Sequence, residues 1–156
     1  MKVALGSDHR GLAVKDAAVA WLKAHGHQVT DLGTHDGGSC DYPDYAFPVA
    51  EGVARGSFDR GVLVCASGIG MSIAANKVDG VRAALVADAD TARMTRAHND
   101  ANVLVLSGDR TPAAAVGEIV AAFVGTAFDG GRHQRRLDRI RHYETRHHDP
   151  GTESSP

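Results

Sequence analysis

Aromatic residues are scarce, at 5% of 156 residues with Trp21 the single tryptophan, so the chain offers few flat rings for stacking on unpaired bases. Cysteine is scarcer still. Cys40 and Cys65 are the only two, which excludes a disulfide framework and leaves free thiols as the expectation. Nine histidines are present but scattered, without a paired-Cys or His-Glu-x-x-His spacing, so no metal ligand set is expected. There is no apolar run of transmembrane length, and polar residues arrive by Ser7, too early for the apolar core of a leader. These absences point to a cytoplasmic protein with no membrane partner. A formal net charge of -2 argues against a generally basic surface, although arginines gather near the C-terminus. Few aromatics and no recognition motif accompany them, so no nucleic-acid partner is expected.

What is present is an ordinary globular composition, 43% hydrophobic and 23% charged, in a chain of one-domain length. Residues 2–7 (KVALGS) read as a strand, 12–24 as an amphipathic helix closed by Gly26, 28–32 as a second strand and 33–44 (GTHDGGSCDYPD) as a loop. His25 and His27 read as structural, and Cys40 as a passive loop thiol. Residues 45–55 read as a helix with Pro48 in its first turn. The apolar run at 62–64 reads as a buried strand, and further strands are expected at 80–87 and 102–106, with helices at 91–97, 111–124 and 132–143. Such alternation implies a doubly wound, Rossmann-like α/β fold of three αβα layers, about five parallel strands and a C-terminal helix. Residues 1–146 are expected to form one domain, and 147–156, polar with Pro and Ser, a flexible tail.

The stretch at 62–77 (VLVCASGIGMSIAANK) carries the densest chemistry. Small residues force a tight turn from strand into helix, and the unpaired N–H groups at the helix start make the surroundings of Cys65 electropositive and solvent-reachable. Three familiar motifs fail there. Gly68-Ile69-Gly70 lacks the third glycine of a dinucleotide fingerprint, Gly70-Met71-Ser72 lacks the lysine of a phosphate loop, and Cys65-Ala66-Ser67-Gly68-Ile69 is no hydrolase elbow. What remains is a thiol, the Ser67 hydroxyl and the helix-start amides, the parts needed to remove a carbon-bound proton and hold the resulting oxyanion. A thiol at a helix start gains thiolate character; a cysteine at a strand end is equally a small buried hydrophobe.

Other candidates also have two readings. Asp8, beside His9 at the carboxyl end of the first strand, is placed for a ligand and equally for capping a helix. Tyr42 can reach a polar ligand or lie over the sheet edge. His98 and Asn99 fall at a helix C-terminus, where an imidazole favours the dipole and Asn accepts a left-handed conformation. Arg132 and Arg136, four apart, share one helix face and can clamp one phosphate, with Arg135 and Arg139 on another face.

Taken together these pieces resemble the sugar-phosphate isomerases that comprise ribose-5-phosphate isomerase type B and the galactose-6-phosphate isomerase subunits. The matching pieces are Gly6-Ser7-Asp8-His9, Asp41-Tyr42-Pro43, Cys65 to Lys77, His98-Asn99-Asp100 and Gly130-Gly131-Arg132-His133-Gln134-x-Arg136, in the family's order. The resemblance implies reversible aldose–ketose isomerisation through an enediolate, without metal or cofactor, in a homodimer or dimer of dimers with shared active sites. It implies Cys65 as the base between C1 and C2, with Ser67 and the amides of Ala66, Gly68, Ile69 and Gly70 holding the enediolate oxygen. Asp8 and His98 would assist ring opening and proton movement on the sugar oxygens. His9, Arg110, Arg132 and Arg136 would bind phosphate, and Tyr42 and Asn99 the sugar. Ribose 5-phosphate is the expected substrate. One departure bears on it: family sequences commonly have Gly after the cysteine, whereas Ala66 adds a methyl beside the reacting carbon. Four- and six-carbon sugar phosphates therefore stay open as alternatives. A non-catalytic sugar-phosphate-binding module is the rival from another class.

Overall fold

The computed structural model describes residues 1–147. Five parallel strands form one sheet in the order β2-β1-β3-β5-β4. They are β1 (Lys2–Ser7), β2 (Gln28–Asp31), β3 (Arg60–Cys65), β4 (Ala83–Leu85) and β5 (Val103–Ser107), connected by α1 (Leu12–Ala24), α2 (Pro43–Ala54), α3 (Ile69–Ala75) and α4 (Ala89–Asn99). The helices α5 (Ala113–Gly125) and α6 (Arg132–His147) complete the chain. Because strand side chains alternate between faces, Val3, Leu5, Val62, Val64, Leu104 and Leu106 bury one face of the sheet with α1 and α5. Ala4, Leu63, Val103 and Val105 bury the other with α2 and α3. Burial on both faces is why the central strands read as continuous apolar runs.

From β1 the chain first moves outward to β2 and then returns to the other side of β1 as β3. The strand order therefore reverses between β1 and β3, and the crevice outside their carboxyl ends is where open α/β sheets bind ligands. The loop after β2 is tied to the same edge. Lys15, fully buried in α1, donates to Asp31 Oδ2 at 2.7 Å and to the Thr34 carbonyl at 3.0 Å.

Several boundaries differ from the sequence reading. Helix α2 starts at Pro43, so Pro43 occupies the tolerant first turn and Pro48 lies inside the helix, where it removes an N–H directed at the Asp44 carbonyl. Strand β2 stops at Asp31, and β4 spans only 83–85 instead of 80–87. At 80–82 the chain turns: Gly80 has φ 78, and the Arg82 N–H goes to Asn102 Oδ1 at 2.7 Å instead of to a strand. On the far side of β4, Asn76 imitates a neighbouring strand, accepting from Ala83 N–H at 2.9 Å and donating to the Ala83 carbonyl at 2.8 Å. This covers an otherwise open edge. Helix α4 begins earlier than the pattern suggested because Asp88 caps it, accepting from Thr91 N–H at 2.7 Å. That bond holds the Asp88 carboxyl below its ordinary range. Helix α6 runs on to His147; residues 148–156 of the expected tail lie outside the described residues.

Candidate active site

The candidate residues fall into two groups at opposite ends of the sheet. The first lies at the carboxyl ends of β1, β3 and β5. Cys65 ends β3, and its carbonyl accepts from Gly108 N–H at 2.8 Å. Cys65 is 4% exposed and belongs to the apolar cluster that includes Ala46, Met71 and Val105. This corrects the expectation of a solvent-reachable cysteine, because α2 and α3 close over the strand end. Both cysteines are free. Gly68 makes the turn after it with φ 79, a left-handed value suited to glycine, and an added Cβ there would lie 2.4 Å from Leu85 Cδ1. The Ser67 hydroxyl accepts from Ile69 N–H at 3.3 Å, so one helix-start amide already has a partner. The Ala66 carbonyl is held by Ser107 Oγ at 2.7 Å and Asp109 N–H at 3.0 Å.

Asp8, buried at the end of β1, accepts from Arg10 N–H at 2.9 Å and Gly11 N–H at 3.2 Å. It thus orders the turn before α1 without being the helix N-cap, a position Gly11 holds. His9 Nδ1 accepts from Cys40 N–H at 3.3 Å and lies 3.8 Å from the Cys40 thiol. A hydrogen bond with that thiol is the leading reason the Tyr45 hydroxyl is pushed above its ordinary range, a bond with Thr34 acting against it. Cys40, a free thiol in the loop, packs against His9, a contact invisible in the sequence because the two residues lie 31 apart. The Tyr42 ring lies over the start of α3: an added Cβ on Gly70 would stand 2.7 Å from its Cζ. Arg110, whose N–H donates to Ser107 Oγ at 3.2 Å, lines a cavity of ≈ 180 Å³ with Ser67, Ser107 and Thr111.

The second group lies at the amino end of the sheet, where α4 closes before β5. His98 and Asn99 end α4, and Asp100, not Asn99, takes the left-handed conformation at φ 44. Its carboxylate explains the choice. Arg96 Nη1 donates to Asp100 Oδ1 at 2.7 Å and Arg82 Nη2 to Oδ2 at 2.9 Å, while Arg82 Nε also donates to the Asn99 carbonyl at 3.1 Å. Arg132 and Arg136 are exposed on α6, and Arg135 and Arg139 line a separate face with Arg146. His133 stacks on His98, with ring centroids 4.4 Å apart and an interplanar angle of 6°. Burial first, then the charges of His98, Arg132 and Arg136, holds the His133 pKa below the ordinary imidazole range, with Asp129 opposing.

Ring nitrogens of His98 and His133 and a carboxylate oxygen of Asp129 lie within 4.8 Å of one another, a grouping that no local spacing announces. Distance alone would admit a cation. The near-parallel rings, however, aim their in-plane lone pairs side by side, and one ion cannot reach both at the ~2.0–2.1 Å of a metal–imidazole bond. Among the described residues this stack is thus better suited to holding an imidazole than a metal.

The comparisons with known proteins bear on the family and the fold. A family model described as Ribose/Galactose Isomerase matches residues 3–140. Ribose-5-phosphate isomerase B of Escherichia coli (strain K12) is 42% identical over 145 residues, 93% of this chain and 97% of the relative. The ribose-5-phosphate isomerase B structure from Clostridium thermocellum superimposes with a TM-score of 0.92 at 44% identity, covering 94% of this chain and 99% of that one. The enzyme from Mycoplasma genitalium with bound ribulose-5-phosphate gives a TM-score of 0.89 at 44% identity, over 92% and 96%. The fold and these matches define the class, an aldose–ketose isomerase. The chain belongs to the ribose/galactose isomerase family.

Proposed function

We propose that this protein interconverts ribose 5-phosphate and ribulose 5-phosphate in the cytoplasm by proton transfer through an enediolate, at active sites each built from two copies of the chain. The observation that carries the substrate is ribulose-5-phosphate bound to a relative that shares 44% of its sequence and nearly all of its length. The helix-start N–H groups at the Cys65 end of the crevice suit a sugar carbonyl. Cys65 takes the proton from C2 of the open aldose, the C–H electrons form the C1–C2 double bond, and the carbonyl electrons settle on O1. Cys65 then delivers a proton to C1 while O2 gives up its proton and O1 takes one up, giving the ketose. Ser67 and the amides of Ala66, Gly68, Ile69 and Gly70 surround the developing oxyanion, where pre-set donors lower the barrier most. Asp8 and His98 serve ring opening and the oxygen protons, and Tyr42 and Asn99 the hydroxyls. His9 and Arg110 from one chain and Arg132 and Arg136 from another receive the phosphate. The chemistry is redox-neutral and moves only protons, so the reading invokes no cofactor and no metal.

Two copies enter because one is insufficient. Strand β5 has five residues, about 16 Å of extended chain, and the two residue groups lie beyond its opposite ends. A two-fold partner places the His98 end of one chain on the Cys65 end of the other. Exposed apolar side chains flank both groups: Ile69 (53% exposed) and Ile73 (57%) beside Cys65, Ile140 (48%) on α6. Such residues suit an interface between copies.

Conversion of ribose 5-phosphate, followed together with the fate of its C2 hydrogen, tests the reading; wild-type protein that gives neither ribulose 5-phosphate nor exchange at C2 overturns it. Cys65→Ala is expected to lower kcat by about 10³-fold or more while phosphate affinity changes little, because the thiol acts in the transition state. The Ala66 methyl supports a second reading, a tetrose or hexose phosphate of different fit, and a panel of sugar phosphates ranks them by kcat/KM.

A further inference from the structure

His133 is left over once the proposed chemistry is assigned, yet it is the most enclosed residue of its turn. It is 7% exposed, while its neighbours Arg132 and Arg136 are open. The turn that delivers it is specific. Gly130 and Gly131 both take positive φ, 65 and 55, and His133 N–H donates to the Gly130 carbonyl at 3.0 Å. Asp129 N–H donates to the Ala97 carbonyl at 3.0 Å, pinning the same turn against the last turn of α4. Arg132 Nε donates to His133 Nε2 at 3.4 Å, so Nε2 accepts and the ring proton resides on Nδ1.

The backbone on either side of His98 is immobilised by the Asp100 ion pairs with Arg82 and Arg96. Those bonds leave the ring of His98 free to rotate about its side-chain torsions, and the near-parallel stack with His133 removes that freedom. We propose that His133 is a positioning residue for His98: stacked face to face, it sets the plane in which the His98 imidazole meets the ring oxygen of a cyclic sugar phosphate held by a second copy of the chain. The proposal rests on the isomerase reading above and takes ring opening as the part of that chemistry that falls to His98, with the oxygen protons falling to Asp8. Burial holds the His133 pKa below the ordinary imidazole range, which disfavours a charge on this side of the stack.

Ring opening gives the test its selectivity. Ribose 5-phosphate is mainly a furanose and must be opened, whereas ribulose 5-phosphate stays open because its O5 carries the phosphate. Solvent-hydrogen exchange at C1 of ribulose 5-phosphate therefore reports enediolate formation without ring chemistry. His133→Ala is expected to lower kcat/KM for ribose 5-phosphate by about 10- to 100-fold, with the ribulose exchange rate kept within about 3-fold, a difference of roughly half of one decade. His133→Phe, which keeps a flat ring and loses the nitrogens, is expected to restore most of the forward rate. Equal losses in both assays overturn the proposal and make His133 a structural support of α6. Failure of His133→Phe to exceed His133→Ala also overturns it, because the nitrogens and not the plane would then matter. Wild-type protein that turns over neither pentose phosphate defeats the isomerase reading itself, an outcome distinct from loss of the asymmetry.

Discussion

His27 shows what one side chain does to the pH response. It sits where α1 turns into β2, 6.3 Å from the Trp21 ring, with its Nδ1 buried and, among the described residues, without a hydrogen-bond partner. Burial first, then the N-terminal amine and His25, holds its pKa below the usual value of 6.5. The unfolded chain therefore binds a proton that the folded chain refuses, and stability falls as pH drops below about 6.5. His133 acts with the same sign. Urea unfolding between pH 7.5 and 5, settings chosen to bracket that value, is expected to show midpoints declining toward acid, with a shallower decline in His27→Leu. At this scale the sequence was readable where chemistry is local. Asp8-His9 at a strand end and Arg132 with Arg136 could be named from order and spacing. The burial of Cys65, the contact of Cys40 with His9 and the stack on His98 could not, because each is made by residues distant in the chain.

Among elements, the start of α3 separates function from stability. Gly70 has no positive φ, and an alanine there favours the helix, but its Cβ would meet the Tyr42 ring at 2.7 Å. Tyr42 is partly exposed and can swing outward. Gly70→Ala is therefore expected to leave the unfolding free energy within about 1 kcal/mol of wild type while raising KM about 5-fold through the displaced tyrosine. Steady-state kinetics and denaturant titration on one preparation check both halves. Periodicity located every strand and helix, since buried parallel strands and amphipathic helices carry their signal in neighbouring residues. The boundaries were less legible where side chains replaced backbone partners. Asn102 and Asn76 both bond to backbone around β4, and an apolar run from Gly80 to Ala87 gives no hint of either.

For the whole molecule, the placement of the two residue groups is decisive, and the sequence indicated both groups without showing that the sheet keeps them apart. If each site draws Cys65 from one chain and Arg136 from another, two damaged chains can repair each other. Cys65→Ala and Arg136→Ala, mixed under conditions that exchange subunits and assayed well below KM, are expected to recover about one quarter of wild-type activity. Half the dimers are then mixed, and one of their two sites is intact. Absence of recovery, with subunit exchange verified by mass, counts against the shared site.

If the site is shared between two copies of the chain, the separation across β5 also has a kinetic consequence. An enzyme whose active site forms only by encounter has protein concentration as a variable of its rate. Below the dimer dissociation constant, the number of working sites scales with the square of total chain concentration, so specific activity falls linearly on dilution. Substrate spanning both chains opposes that fall by binding the assembled form alone, and a lag that shortens with added sugar phosphate in diluted samples is its expected signature.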